Sequence, residues 1–216
     1  MCFGGFLKRL KEQGLYDNSL IVVVSDHGEE LLDHGGLGHL QTLHPELIRI
    51  PLLIKYPGNE QAGRRLARPV QHIDILPTLV DILGLPLAPT FEGKPIALDD
   101  TAAKPIFFSV QAGPDAAEAG QQKHSYLEYI QGVRLGDWVT TRRLAGNVPR
   151  QPLALFNLSH DPDELNNLFF QNPVKALHLQ ARLKKHFDPL LKRTSREKLK
   201  IDRNGLEKNL RTLQYL

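Results

Sequence analysis

The sequence is short of the residues that most often signal a special chemistry or compartment. Its 216 residues include one cysteine, Cys2, one tryptophan and one methionine. A lone cysteine excludes an intrachain disulfide and a thiolate-bound metal cluster. It leaves the compartment open, because exported proteins can also lack disulfides. No apolar run approaches the roughly 18 residues that a membrane-spanning helix needs. The opening Met1-Cys-Phe-Gly-Gly-Phe-Leu7 has neither a basic leader nor a long apolar stretch, so no secretion signal is visible in it. Internal repeats and low-complexity tracts are absent as well.

What is present is ordinary in bulk and uneven in detail. Hydrophobic residues at 41% and charged residues at 24% describe a globular chain of one domain or one and a half. The net charge of +3 is unevenly placed. From Arg182 to Arg203, nine Lys or Arg stand against three Asp or Glu, a local +6 that leaves −3 for the rest. No nucleic-acid motif accompanies this segment, so it reads as a solvated helix face and tail, and no nucleic-acid partner is expected.

The periodicity changes near residue 100. Before it, Phe3, Phe6, Leu7 and Leu10 repeat at helical spacing, with Gly14 as a stop and no capping residue at the start. Leu20-Ile-Val-Val-Val-Ser25 is a continuous β-branched run, the pattern of a strand covered on both faces in a parallel sheet. A glycine-rich loop follows, then an apolar strand from Ile50 to Tyr56. Asp74 is placed to cap a helix running to about Leu83, with Pro77 in its first turn and Gly84 after it. After residue 100, Pro105–Val110, Tyr126–Leu135, Trp138–Leu144 and Leu153–Leu158 read as strands. Gly136-Asp137 marks a two-residue hairpin, and Gln111–Gln122 reads as a surface loop. Asn172-Pro173 opens a helix with Ala176, Leu179, Leu183, Phe187 and Leu190 on one face. The expected division is therefore an α/β unit over residues 1–100 and a small antiparallel sheet with a closing helix and basic tail over 101–216.

The chemistry concentrates in the loop after the first strand. Ser25-Asp-His-Gly-Glu-Glu30 is followed by His34-Gly-Gly-Leu-Gly-His39, and four of the nine histidines fall between His27 and His44. In open α/β sheets, ligands sit beyond the carboxyl ends of strands, and a rigid strand fixes the residue just past its end. Asp26 and His27 occupy that place. A carboxylate beside an imidazole suits a divalent cation, and Gly28 lets the backbone turn after them. His34 reads as a residue that orients the loop through hydrogen bonds. His44, His72, His124, His160, His178 and His186 read as structural, as do Glu29 and Arg49.

The wider context resembles one family. Leu15 to Glu29, Asp33-His-Gly35, Gly38-His39 and Pro45 to Ile54 are similar, in this order, to the C-terminal metal-ligand segment of the sulfatase family, in the alkaline phosphatase superfamily. His72 to Gly84, Phe91 to Lys94, Gly132 to Trp138, Leu155 to Leu168 and Leu210 to Leu216 continue the likeness along almost the whole chain. The resemblance implies an α/β fold: the C-terminal part of an alkaline-phosphatase-like mixed sheet flanked by helices, then the small antiparallel sheet and C-terminal helix. It implies a metal-dependent hydrolase of sulfate esters, with a small-molecule or glycan sulfate ester as substrate. Asp26 and His27 would be two of four protein ligands to one divalent ion, calcium first, with magnesium or manganese as alternatives. His39 would touch the anionic oxygens of the ester, hydrogen-bonding the developing charge or protonating the leaving oxygen.

The sequence also departs from the family. Its members carry a pair of Asp ligands and a Cys-x-Pro-x-Arg or Ser-x-Pro-x-Arg nucleophile motif nearer their N-terminus, the Cys becoming formylglycine. Neither occurs here, and Cys2-Phe-Gly-Gly-Phe6 is not that motif. The expectation is a C-terminal portion whose missing N-terminal half carries the nucleophile, with weak metal binding because calcium takes about 6–8 oxygens. Two other readings stand beside it: a phosphoester or phosphonate hydrolase or phospho-group transferase of the same superfamily, and a non-catalytic binding half-domain. The substrate, the compartment and the nucleophile type are not written in these residues.

Overall fold

The computed structural model describes residues 2–39, 42–100, 102–112, 128–145 and 148–196. The surface loop expected over Gln111–Gln122 lies mostly outside the described residues, as do the start of the strand expected from Tyr126 and the tail from residue 197. Helix α1 spans Phe3–Glu12, starts without a side-chain cap, and is followed by Gly14 in the left-handed region at φ 68°. That conformation is open to glycine without a side-chain penalty.

Strand β1 (Ile21–Val24) is held by β4 (Leu52–Lys55), with Ile21 opposite Lys55 and Val24 opposite Leu52. The pairing is antiparallel, and β4 is the one strand bonded to β1 among the described residues. This corrects the parallel, doubly covered strand expected from the apolar run. β1 is half-buried, and Val24 is exposed. A β-branched run specifies an extended, pleated backbone but carries no information on the direction of the neighbour. Lys55 anchors the pair by donating from Nζ to the carbonyls of Tyr16, Asp17 and Ser19 at 2.5, 2.7 and 3.1 Å.

Between these strands lie a short hairpin, β2 (Glu30–Leu31) and β3 (Leu37–Gly38), and a one-turn helix, α2 (Pro45–Ile48). Helix α3 runs Ile75–Ile82, with Pro77 in its first turn and Gly84 after it at φ 65°. Asp74 does not cap α3 with its side chain, contrary to expectation. Its carboxylate accepts instead from the amides of Gln71 (3.4 Å) and Lys94 (3.0 Å), closing the tight turn at His72–Asp74.

The remaining strands form one antiparallel meander in the order β5 (Ile106–Ala112), β6 (Glu128–Leu135), β7 (Trp138–Ala145) and β8 (Val148–Asn157). Leu135 pairs with Trp138 across Gly136-Asp137, the expected two-residue hairpin. Helix α4 (Pro173–Arg196) lies on one face. There Val133 and Leu155 pack against Ala176, Leu179, Leu183 and Phe187. Leu190 does not join them. It follows Pro189 inside the helix and is 40% exposed.

Strand alternation makes the other face of the same sheet available. Ile130, Phe108 and Val110 point there and pack against Leu43 and Ile48, the segment that leads into and through α2. Phe156 meets the edge of His44 on this side. The meander is thus covered by α4 on one face and by the site loop's return segment on the other. No helix among the described residues is long and apolar enough to cross a membrane.

Candidate metal and anion site

Asp26 and His27 stand immediately beyond β1. The His27 amide donates to Asp26 Oδ1 at 3.0 Å, which holds the Asp26 carboxyl below its ordinary range and keeps it ionised. The carboxylate is exposed. His27 Nδ1 lies 2.7 Å from the Gly28 carbonyl, a bond that raises the pKa of the ring and leaves Nε2 free. Nε2 lies 3.8 Å from Asp26 Oδ2. A carbonyl on one imidazole nitrogen is the usual means of orienting the other toward a metal.

Two features fix the loop that follows. The Gly28 amide donates to the Leu47 carbonyl at 2.9 Å, tying the loop to α2. His72 Nε2 lies 2.9 Å from the Ser25 carbonyl, bracing the end of β1. The β2–β3 hairpin then brings the chain back. Its register sets Glu30 opposite Gly38, which places Glu29 across from His39. His39 Nδ1 is 3.5 Å from Glu29 Oε1, and the His39 and His27 ring centroids are 4.5 Å apart.

The structure therefore brings together His27 and His39 and adds a residue read as structural in the sequence. Ligand atoms of His27, Glu29 and His39 all lie within 4.8 Å of one another. Asp26 borders this group at His27. The signal for Glu29 was the hairpin register, which Gly35-Gly36 permits but does not by itself specify.

These donors fit part of a divalent-metal shell. They include an ionised, exposed carboxylate at Asp26, an imidazole with a free and oriented nitrogen at His27, and a further carboxylate at Glu29 on the loop. They fall short of the coordination number that calcium takes. A second cluster, Glu30, His34 and Glu46, has the right atom types, but its atoms are already engaged. Buried Glu30 accepts from the Gly36 amide at 3.2 Å and the Thr42 hydroxyl at 3.0 Å. His34 is bonded at both nitrogens.

Asp26, His27 and His39 line a cleft of about 1610 Å³ whose wall also holds Arg49, Arg68 and Arg134. Arg68 Nε is buried there without a partner, although another guanidinium nitrogen of Arg68 donates to the Ala97 carbonyl at 3.0 Å. Burial and the nearby Arg49 push the Arg134 pKa down. Cations gathered around a partly apolar cleft attract an anion. The remaining histidines are occupied elsewhere. His186 stacks on Phe107 at 3.8 Å, with its pKa lowered by burial. His160 Nδ1 lies 2.8 Å from the Ser159 hydroxyl. His178 accepts from Arg182 at 3.0 Å. His124 lies outside the described residues.

Comparison with known proteins bears on this arrangement. Residues 1–85 match the family model described as Sulfatase. The chain is 27% identical over 187 residues to arylsulfatase K of Mus musculus, covering 84% of this chain and 32% of that protein. It is 34% identical over 194 residues to an ulvan-active sulfatase of Formosa agariphila, covering 84% of this chain and 35% of that protein. Among solved structures, BT4656 in complex with its substrate D-glucosamine-2-N,6-O-disulfate superposes with a TM-score of 0.65 at 23% identity. That match covers 86% of this chain and 37% of the other. The chain thus spans about a third of the length of these relatives.

Proposed function

Because the chain belongs to the sulfatase family, within the alkaline phosphatase superfamily, we propose that it supplies the metal-and-anion loop of an enzyme that hydrolyses sulfate esters. The observation that carries this reading is the convergence of Asp26, His27 and His39 at one end of β1, on the rim of a cation-lined cleft. The family implies a divalent metal ion, and we assign calcium as that ion on the oxygen-rich ligand set its members use. Asp26 and His27 would hold it, with Glu29 within reach. Bound there, the ion would neutralise the anionic ester and polarise it toward attack.

The chain's own residues do the rest of what it contributes. The His27 amide keeps Asp26 ionised, and the Gly28 carbonyl keeps the His27 ring turned with Nε2 outward. His39 is placed to donate a hydrogen bond to an ester oxygen as charge develops on it, or to hand a proton to the leaving alcohol. Arg49 and Arg134 line the approach and favour an anionic substrate. The class we assign is a small-molecule or glycan sulfate ester, supported by a relative active on ulvan and a structural neighbour bound to a sulfated glucosamine. The named relatives favour sulfate over phosphate esters. No stretch of this sequence matches the family's nucleophile motif, and we assign the nucleophile to none of its residues. We also read residues 1–100 as part of the α/β core and 101–216 as the small-sheet subdomain.

Two results are expected from the 216-residue chain. With calcium present, an aryl sulfate should perturb the His39 ring signals in NMR, and His39→Ala should weaken that binding about tenfold, the scale of one charge-assisted hydrogen bond. The same chain should release no alcohol from the ester above the buffer rate. Turnover that His39→Ala abolishes would show that a nucleophile is present after all. Sulfate-ester binding that His39→Ala leaves unchanged would remove His39 from the site.

A further inference from the structure

Beside the His27–Glu29–His39 group, the most fully built polar cluster among the described residues is a box of two histidines and two glutamates. The His34 and His44 rings stack in parallel, centroids 3.8 Å apart and planes 2° apart. His34 Nδ1 lies 2.7 Å from Glu46 Oε1, and His34 Nε2 lies 2.7 Å from the Asp163 carbonyl. His44 Nδ1 lies 3.1 Å from Glu164 Oε2. The side chain of Glu164 is 2% exposed and that of His34 12%. Arg49 adds a third tie from the same segment, donating to the Pro162 carbonyl at 3.2 Å.

Both nitrogens of His34 face acceptors, a carboxylate and a carbonyl. A neutral imidazole has one donor, so the arrangement calls for the doubly protonated ring. The His44 ring lies parallel to it, with the Glu164 carboxylate at its own outer edge. The partners come from separate places: His34 from the β2–β3 hairpin, His44 and Glu46 from the start of α2, and residues 161–164 from the turn after β8. That turn is itself braced, since Asp161 accepts from the amides of Leu165 and Asn166 at 3.0 and 2.8 Å. Glu164 adopts φ 55° there, a conformation that a non-glycine residue holds only when its surroundings dictate it.

We propose that the turn at 161–164 is a positioning latch for the metal loop, acting through the stacked His34–His44 pair to fix the hairpin that sets His39 against His27. Neither histidine touches the ester or the ion in this scheme; both act through the hairpin. The inference rests on the proposed function only for the meaning of the loop, and its test uses neither metal nor ester.

The latch has a pH dependence with a definite sign. The groups facing His34 are Glu46 from α2, Glu30 from β2, the His44 ring, and the Asp163 carbonyl and Glu164 from the turn. Burial opposes the cation, but the hydrogen bonds to Glu46 and Asp163 and the two glutamate charges outweigh it, and the pKa is raised above 6.5. Folding therefore favours the proton. The stabilisation is fully present below pH 6.5 and is lost as pH rises through the elevated folded value.

The test is histidine ring-nitrogen NMR on the full chain from pH 5 to 9, with amide exchange of the hairpin measured in parallel. His34 is expected to titrate above the ordinary histidine value, with both nitrogens protonated at pH 6.5. Glu164→Gln and His34→Gln should each speed exchange of the Leu32 amide, which is bonded to Gly36, at least tenfold. Exchange of the α4 core amides should be unchanged. High pH should loosen the hairpin in the parent chain more than in His34→Gln. A neutral His34 at pH 6.5 would overturn the proposal, as would hairpin exchange unmoved by either variant. If Glu164→Gln fails to fold, the His34→Gln exchange and the parent's ring signals decide the question.

Discussion

Replacing Leu183 by alanine should cost about 2–5 kcal/mol of folding stability. Leu183 is fully buried at the centre of the α4 face, in the cluster with Val133, Leu155, Ala176, Leu179 and Phe187. Alanine is the better helix former, so local propensity acts in the variant's favour. Any loss must therefore come from removed contacts and the cavity left against the sheet. Two of the neighbours that could collapse into the gap, Val133 and Leu155, are held in the four-stranded sheet. Leu177, on the same helix and 69% exposed, provides the control, since its replacement by alanine should move stability by less than about 0.5 kcal/mol. Urea unfolding of the parent and both variants measures the difference. A Leu183→Ala loss below about 1 kcal/mol would mean that α4 is not seated on the sheet as described.

Gly28→Ala should damage the metal loop more than any other single methyl group added there. A Cβ at Gly28 would fall 1.9 Å from the Glu46 carbonyl oxygen, 2.9 Å from its carbon and 3.3 Å from Leu47 Cα, all backbone atoms. No side chain can swing aside to relieve these contacts. The Gly28–Leu47 hydrogen bond holds the two segments at this distance, so α2 must move away or the loop must unfold. The expected cost is about 1–3 kcal/mol, the range for overpacking. Because Gly28 directly follows His27 and orients its ring, divalent-ion affinity should fall at least tenfold with it. Gly35→Ala separates space from backbone strain. Nothing lies within 4 Å of its Cβ position, but φ is +83°, so a penalty of about 1–2 kcal/mol arises from the left-handed backbone alone. Thermal melts and calorimetric metal titration of the two variants test this ordering. Intact metal binding in Gly28→Ala would contradict the close packing of the loop on α2.

Much of this architecture is legible in the sequence because the relevant signals are local. Pro173 opening α4, Gly14 and Gly84 ending helices, and Gly136-Asp137 turning β6 into β7 each act within a few residues. What escaped depends on distant partners. The direction of β1's neighbour is set by β4, 28 residues or more further on, and no property of Val22 or Val23 encodes it. Asp74 has the composition of a helix cap, yet the Lys94 amide takes its carboxylate. Glu29 gains its place beside His39 from the hairpin register, and a side chain added at Gly36 would meet the Glu30 carboxyl, which would have to move. The box around His34 joins residues more than a hundred positions apart, beyond any periodicity. Asp26, His27 and His39 are proposed as the chemistry-bearing residues from residue type and from the family resemblance, and the structure describes how their side chains are held.

The central claim is that the loop from Asp26 to His39 binds a divalent ion. The most direct test is paramagnetic broadening of the amide and histidine-ring NMR signals of the 216-residue chain as Mn²⁺ is added. The account predicts that signals of Asp26, His27, Glu29 and His39 broaden first, that excess Ca²⁺ restores them, and that Asp26→Ala with His27→Ala abolishes the effect. Broadening that begins elsewhere, or that survives loss of both side chains, would contradict it.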